Sequence, residues 1–177
     1  QSWKKIEATP SKFLGSLKYV TSQSNAKLKE FPWRTSAQDG QNFGLLKTSC
    51  DTKLKFGQQG LQDKNIWSFG EALKVNQSAT EVDLSWNDIG DEGCLALAEA
   101  LKVNQSVNSL NLRNNEIGPQ GACVLAEAFK IHPNLRSINL RYNRIGPQGA
   151  KAMAETFRVN KGIREVDLRR NEIGDEG

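Results

Sequence analysis

Apolar and polar positions recur along this chain with a period of 28 residues. Three columns show the period most clearly: Leu84, Leu112, Leu140 and Leu168; Asn87, Asn115, Asn143 and Asn171; Gly90, Gly118, Gly146 and Gly174. A fixed period of this length predicts a solenoid, in which each repeat is one supersecondary unit and the core forms between neighbours.

Each repeat is predicted to contain one strand and one helix. Alternation places Val82 and Leu84 inward and their neighbours Asp83 and Ser85 outward. Helical spacing then predicts a buried helix face, which in one copy contains Leu95, Leu97, Ala98 and Leu101. Asn76 and Asn104 follow their helices and are predicted to be left-handed caps.

The turn between strand and helix carries the Asn and Gly columns. An amide there can satisfy backbone N–H and C=O groups that no strand pairing reaches, so we interpret Asn87, Asn115, Asn143 and Asn171 as a structural ladder. The glycines allow either positive φ or close packing at the turn. Pro119 and Pro147 stand where a first helical turn can begin.

The first and last parts of the chain depart from this pattern. Leu54, Phe56, Gln59 and Leu61 form a degenerate first strand, so the solenoid is predicted to span residues 51–177 and to be incomplete at its C-terminal end. Residues 1–50 are irregular, with a short helix predicted from Ser11 to Val20 after Pro10. Two interpretations stay open for this segment: a cap on the first repeat, or an extension that docks on a partner or is a processed organellar N-terminus.

The repeat also resembles a known family. Val107, Leu110, Leu112, Asn115 and Ile117 fit the pattern L-x-x-L-x-L-x-x-N-x-L, and Asn-x-Ile-Gly-x-x-Gly and Ala-Glu-Ala-Leu/Phe-Lys recur beside it. Residues 51–177 thus resemble the ribonuclease-inhibitor-like class of leucine-rich repeats, as in ribonuclease inhibitor, the Ran GTPase-activating protein and NLR-type proteins. The resemblance implies an α/β fold: a right-handed βα superhelix with parallel strands on the concave face and helices on the convex face. It also implies protein binding without choosing a partner.

The distribution of charge and the few cysteine and histidine residues limit the functions that are expected. Residues 1–50 hold eight basic and three acidic residues, whereas the remainder holds sixteen basic and seventeen acidic, so nucleic-acid binding is not expected of the repeats. Three cysteines without a C-x-x-C pair suit reduced, small buried thiols and an intracellular protein, either cytoplasmic or, after N-terminal processing, organellar. A single histidine predicts no metal site, and no cofactor is expected. No apolar run predicts a membrane span.

The outward columns carry the candidate binding residues. One column holds Gly57, Ser85, Arg113, Arg141 and Arg169, and the next holds Gln58, Trp86, Asn114, Tyr142 and Arg170. Strands about 4.8 Å apart would place the arginines in a row beside the aromatic residues. Arg, Trp and Tyr dominate interface energetics, so we predict a partner-binding concave face formed by Arg113, Arg141, Arg169, Trp86, Tyr142 and Arg170. A merely solvated face is the alternative.

The sequence offers no catalytic arrangement. His132 precedes Pro133 in a predicted loop, with no nucleophile or carboxylate placed to use it. We therefore predict a non-catalytic protein–protein interaction or scaffolding module, expected to be a subunit of a larger assembly and without a small-molecule substrate. The alternative, by fold analogy, is a GTPase-activating or other regulatory protein of the same repeat class.

Overall fold

The computed structural model describes residues 43–175, which form a 3-10 helix, five strands and four α-helices in alternation. The 3-10 helix is Phe43–Thr48. The strands are β1 (Lys53–Lys55), β2 (Glu81–Asp83), β3 (Ser109–Asn111), β4 (Ser137–Asn139) and β5 (Glu165–Asp167), and the helices are α1 (Asp63–Val75), α2 (Asp91–Val103), α3 (Pro119–Ile131) and α4 (Gly146–Val159).

All five strands form one parallel sheet in chain order. The register advances by one repeat per strand, so that Leu54, Val82, Leu110, Ile138 and Val166 are paired in succession. Just beyond the strands, Leu84, Leu112 and Leu140 are completely buried, and the N–H of each donates to a carbonyl of the next repeat. The predicted alignment of these leucines under adjoining parallel strands, and with it the α/β solenoid, is confirmed.

The helices lie in a second layer, and each packs on the next along the chain. Ala72, Ala100 and Ala128 are fully buried at equivalent positions, where a larger side chain would hold the helices apart. The prediction for Leu95 is wrong, since this side chain is 43% exposed. Leu95 lies four residues before Glu99 on the outer face of α2, which a count of apolar residues alone does not distinguish from the inner face.

The 3-10 helix covers the apolar edge of the first repeat. Phe43 is buried and meets the rings of Phe56 and Phe69 edge to face, with ring centroids 5.6 and 5.5 Å apart. Leu46 is also buried, and its carbonyl accepts a hydrogen bond of 2.6 Å from Asn76 Nδ2. Residues 1–42, with the predicted helix from Ser11 to Val20, lie outside the described residues, so the domain boundary at residue 50 stays a prediction.

The helix C-termini are closed by a buried column that the sequence analysis misread. Asn76 and Asn104 have φ of −76° and −70°, so the predicted left-handed caps are wrong. The amide of Asn104 instead links repeats: Nδ2 donates to the carbonyls of Leu73 (2.8 Å) and Asn76 (2.6 Å), and Oδ1 accepts from Val107 N–H. Because the side chain satisfies these groups, the backbone does not need a left-handed turn.

His132 occupies the same column, one repeat after Asn104. It is 1% exposed, and its Nδ1 accepts the backbone N–H groups of Asn134 and Leu135, just as Asn104 Oδ1 accepts those of Ser106 and Val107. Burial lowers the pKa of the imidazole, which therefore stays neutral in the fold. The expected loop histidine is thus a core residue that holds the start of the next strand.

The glycine column serves both of its predicted purposes, but in different repeats. Gly118 has φ of −90°, and its N–H donates to Asp91 Oδ1 at 2.8 Å, so it permits close approach. Gly146 has φ of +62°. Pro119 stands where an Asp equivalent to Asp91 would accept the N–H of Gly146, and a proline side chain cannot accept it. Helix α4 begins at Gly146 itself. A left-handed residue is therefore needed only where the acceptor is missing.

The three cysteines differ in burial. Cys94 is buried, and burial raises the pKa of its thiol, but Cys123 is half-buried and Cys50 is exposed, so the prediction of buried cysteines holds for Cys94 alone. Between residues 43 and 175, no helix has both the length and the apolar content to cross a membrane. In the same part of the chain, no cluster of His, Cys, Asp and Glu could hold a metal ion.

Candidate functional site

The Asn ladder fixes the chain where each strand ends. Asn115 Oδ1 accepts the N–H of Ile89 at 3.2 Å, while its Nδ2 donates to the carbonyls of Leu84 (3.1 Å) and Leu112 (3.0 Å). The amides of Asn87, Asn143 and Asn171 make equivalent bonds. Each amide thereby joins two successive repeats and holds the residues just before it in one position.

The two candidate columns lie just beyond the strands, which are only three residues long. Every residue of the second column is left-handed, with φ between 56° and 61°: Gln58, Trp86, Asn114, Tyr142 and Arg170. The extension of strand alternation to these positions was therefore wrong. The left-handed turn keeps pairing intact, because Trp86 N–H donates to the Arg113 carbonyl and Tyr142 N–H to the Arg169 carbonyl at 2.8 and 3.0 Å.

Four of the six predicted binding residues come together in this region. The Arg113 guanidinium lies 5.6 Å from the ring centroid of Trp86 and 5.4 Å from that of Tyr142, and Arg141 lies 4.8 Å from the Tyr142 ring. These distances are within cation–π range. We call Trp86, Arg113, Arg141 and Tyr142 the Arg–aromatic cluster. Trp86 and Tyr142 remain 46% and 37% exposed, so the cluster is ordered and accessible at once.

The charges of the cluster affect Tyr142 most directly. Arg141 Nη2 donates to the Tyr142 hydroxyl at 3.4 Å. This bond and the charge of Arg141, with smaller contributions from Arg170 and Arg113, lower the pKa of the phenol. A ring placed between two guanidiniums also offsets part of their mutual repulsion, because its negative face meets both cations.

The other two predicted residues are placed differently. Arg169 forms a two-bond pair with Asp167, with Nε and Nη2 at 2.9 and 2.7 Å from the carboxylate oxygens. Arg170 is exposed and lines an open groove of about 590 Å³ at the end of the strands, together with Tyr142, Asn114 and Glu116. The structure therefore separates the predicted set into the cluster, one internally paired arginine and one groove residue.

The sequence analysis missed a row of Asx side chains in front of the first column. In β2 to β5, the side-chain oxygen at the last residue of the strand accepts the backbone N–H two residues later, an Asx-turn arrangement. The donors Ser85, Arg113, Arg141 and Arg169 meet the acceptors Asp83, Asn111, Asn139 and Asp167 at 2.9–3.2 Å. In the sequence, an Asp or Asn stands two residues before each of these four donors. This position marks the end of strands β2 to β5.

The helix face also exposes apolar side chains that the sequence analysis did not single out. The last helical residues Val75, Val103, Ile131 and Val159 are 55–63% exposed. A Lys precedes each of the first three and pairs with a Glu three residues earlier in the helix. These side chains form a row on the outer surface, and no cation–π contact accompanies it in residues 43–175.

The Asp167–Arg169 pair yields a direct prediction. Its hydrogen bonds and charge lower the pKa of Asp167 from 3.8 to about 2. Arg169→Gln should raise this pKa back toward 3.8, as followed by carboxyl carbon chemical shifts during an acid titration. Because the folded pKa is depressed, the small stabilisation from the pair is present above the ordinary pKa and is lost as pH falls toward about 2. A pKa unchanged in the variant would contradict the pairing.

These features define the class of protein as a solenoid of βα repeats. The chain belongs to the leucine-rich repeat family: the family model described as Leucine Rich repeat matches residues 75–98, 103–126, 132–154 and 159–177, just over half of the sequence. The predicted leucine-rich repeat family is thereby confirmed. The family model that matches describes the repeat, and it names no catalytic family.

A solved structure adds a fold comparison. The chain is similar to actin-binding site 2 of leiomodin-1, with a TM-score of 0.65 and 21% sequence identity over 71% of this chain and 75% of that one. At this identity the similarity concerns the fold alone. No curated protein matches the chain.

Proposed function

We propose that this chain is a non-catalytic protein-binding module whose partner docks on the strand face at the Arg–aromatic cluster. The observation that carries the proposal is that two arginines and two aromatic residues from three repeats are stacked on one another while staying accessible. Side chains that are already ordered lose less conformational entropy when a partner binds. The same residue types dominate the energetics of protein interfaces.

The backbone of the cluster supports this proposal. The repeat imposes a left-handed conformation on the column, and Asn114 is the kind of residue that tolerates it well. Trp86 and Tyr142 adopt it at φ of 56° and 58°, although for such residues it costs about 1–2 kcal/mol each. Unfavourable backbone conformations of this kind concentrate where side chains serve a function.

The single histidine and one of the cysteines lie in the core. His132 is buried and holds the backbone of the following strand, and Cys94 is buried with a raised thiol pKa, which keeps it protonated and unreactive. Binding rather than catalysis is therefore the function that the described residues support. The similar leiomodin-1 structure is an actin-binding site, which is a protein-binding use of the same fold.

We also propose the class of leucine-rich repeat to which the chain belongs and the cellular setting in which it acts. A 13-residue α-helix in each of three repeats with a 28-residue period favours the ribonuclease-inhibitor-like class. The partner is proposed to be a protein of a larger intracellular assembly, in the cytoplasm or in an organelle. The role of residues 1–50 in this assembly, as a cap or as a docking extension, belongs to the same proposal.

Site-specific photo-crosslinking tests the face that is used. A photoreactive residue at Gln58, on the strand face beside the cluster, should crosslink the partner in cells, whereas one at Leu95, on the helix face, should not. Arg141→Ala with Tyr142→Ala should reduce the crosslinked product by about tenfold or more, since hot-spot residues contribute about 2 kcal/mol or more.

A matched pair on the helix face provides the control. Trp67→Ala with Arg158→Ala also removes one exposed aromatic and one exposed arginine, and it should leave the crosslink unchanged. Crosslinking from Leu95 rather than Gln58, or a yield that only the helix-face variant reduces, would contradict docking on the strand face.

A further inference from the structure

Two guanidiniums of the Arg–aromatic cluster lack acceptors. The Nε atoms of Arg113 and Arg141 are shielded from solvent and have no hydrogen-bond partner. Among residues 43–175, the Arg113 guanidinium finds no hydrogen-bond acceptor, and that of Arg141 finds only the Tyr142 hydroxyl at 3.4 Å. Aromatic faces compensate part of the charge, but they do not replace a directional acceptor for a buried N–H. Such donors call for an acceptor from outside the chain.

The chain itself shows what such an acceptor would be. Arg169, one repeat further in the same column, has a carboxylate two residues before it and binds Asp167 through both Nε and Nη2. Arg113 and Arg141 have the neutral amides Asn111 and Asn139 at this offset. The presence of Asp rather than Asn two residues earlier therefore distinguishes the arginine with a carboxylate acceptor from the two arginines without one.

The carboxylates of neighbouring residues do not supply an acceptor for Arg113 or Arg141. Asp83 Oδ1 already accepts from the N–H and hydroxyl of Ser85 and from Asn111 Nδ2. Glu81 is paired with Lys53 at 2.9 Å. In the β3 and β4 repeats, the outward strand residues and the two columns after them contain no acid: Ser109, Asn111, Arg113, Asn114, Ser137, Asn139, Arg141 and Tyr142. Within residues 43–175, the guanidiniums of Arg113 and Arg141 are therefore bonded to no carboxylate, and the charge of Asp167 acts on Arg141 only at a distance.

The available donors favour carboxylate over phosphate. The backbone N–H groups of Arg113 and Arg141 are bonded to Asn111 and Asn139, and those of Asn114 and Tyr142 to carbonyls of the next repeat. None of these four backbone N–H groups is left to form a phosphate cradle of the kind found in nests and loops. What remains is two planar guanidinium edges, which match the two oxygens of a carboxylate.

We infer that the β3 and β4 part of the strand face binds an acidic segment of a protein, with one Asp or Glu carboxylate on each of Arg113 and Arg141 and aliphatic or backbone atoms against Trp86 and Tyr142. The inference rests on the proposed function and specifies its partner. Two carboxylates about one strand spacing apart, on the order of 5 Å, would satisfy both guanidiniums.

The test uses the full chain and a hexaglutamate peptide as the probe, with hexaglutamine as the uncharged control. Binding is followed by NMR through the side-chain Nε–H signals of the arginines. The signals of Arg113 and Arg141 should shift, whereas that of Arg169 should not move. The affinity should fall as salt increases, because the contacts are ionic.

Asn139→Asp is the decisive variant, because it gives Arg141 the internal carboxylate that Arg169 already has. Asp occupies this column in the β2 and β5 repeats, so the fold accepts it. The variant should weaken hexaglutamate binding about tenfold. Gln120→Glu changes the net charge equally at the start of α3, where Glu92 stands in α2, and should leave binding unchanged.

Several outcomes would overturn the inference: equal binding of hexaglutamine, no shift at Arg113 or Arg141, unchanged affinity of Asn139→Asp, or binding of a phosphoserine peptide only. These results are separable from failure of the proposed function. A partner that crosslinks at Gln58 and depends on Arg141 and Tyr142 would keep the strand face as the docking surface even if acidic peptides do not bind.

Discussion

Replacing Asn115 by Asp should lower the free energy of unfolding by about 3 kcal/mol or more at neutral pH, because a carboxylate would face carbonyl oxygens inside the core. In the structure Asn115 is 8% exposed, and its Nδ2 donates to the carbonyls of Leu84 and Leu112. The substitution keeps the side-chain shape and the acceptor for Ile89 N–H. It removes the donors and adds a buried charge, so the loss must be compared with that of the same change outside the ladder.

The pH dependence of this variant has a definite sign. Burial and the facing carbonyl oxygens raise the pKa of the new carboxyl in the folded state above its unfolded value. The destabilisation is therefore full above the folded pKa and is relieved as pH falls below it, where the protonated acid can donate to one carbonyl. Denaturant unfolding at neutral pH and at about pH 5 should show the variant approaching the parent chain at the lower pH.

The neighbouring residue supplies the control. Asn114 is half-buried with no side-chain hydrogen bond, and Asp tolerates its left-handed backbone nearly as well. Asn114→Asp makes the same chemical change one residue away and should alter stability by no more than about 0.5 kcal/mol. Equal losses in the two variants would mean that the added charge, not the ladder, is responsible.

The period of the sequence predicts burial well, and the reason is physical. A solenoid must bury the same positions in every repeat, so the leucine column and the strand pairs Val82–Leu110 and Leu110–Ile138 could be derived from spacing alone. Backbone dihedrals leave no such periodic signal. Trp86 and Tyr142 were assigned to strands because nothing in their apolar, bulky side chains indicates a left-handed backbone.

The candidate site was also only partly predictable. Repeat spacing placed Arg113, Arg141 and Arg169 in one row, which the structure bears out as equivalent positions. Whether each arginine is free depends on the residue two positions earlier, and the sequence contains that information as Asn or Asp. It becomes interpretable only once the strand end is known, because the pairing requires the chain to turn there.

The second large effect concerns the edge of the first repeat. Phe43→Ala should lower the free energy of unfolding by about 3–5 kcal/mol, the range for truncating a well-packed core phenylalanine. Phe43 is 4% exposed, and its ring is one of three that meet edge to face with those of Phe56 and Phe69. Denaturant unfolding of the full chain measures the loss, and Lys47→Ala, at an exposed position of the same 3-10 helix, is the control.

The location of the effect is as informative as its size. Repeats in a solenoid contact only their neighbours, so a cavity beside Phe56 and Phe69 should reduce hydrogen-exchange protection first in β1 and α1 and least in α4. Such a gradient would show that residues before Asp51 take part in the fold of the solenoid, since the 3-10 helix covers apolar surface that water would otherwise reach. A loss below about 1 kcal/mol, or one spread evenly over all repeats, would contradict a capping contact at Phe43.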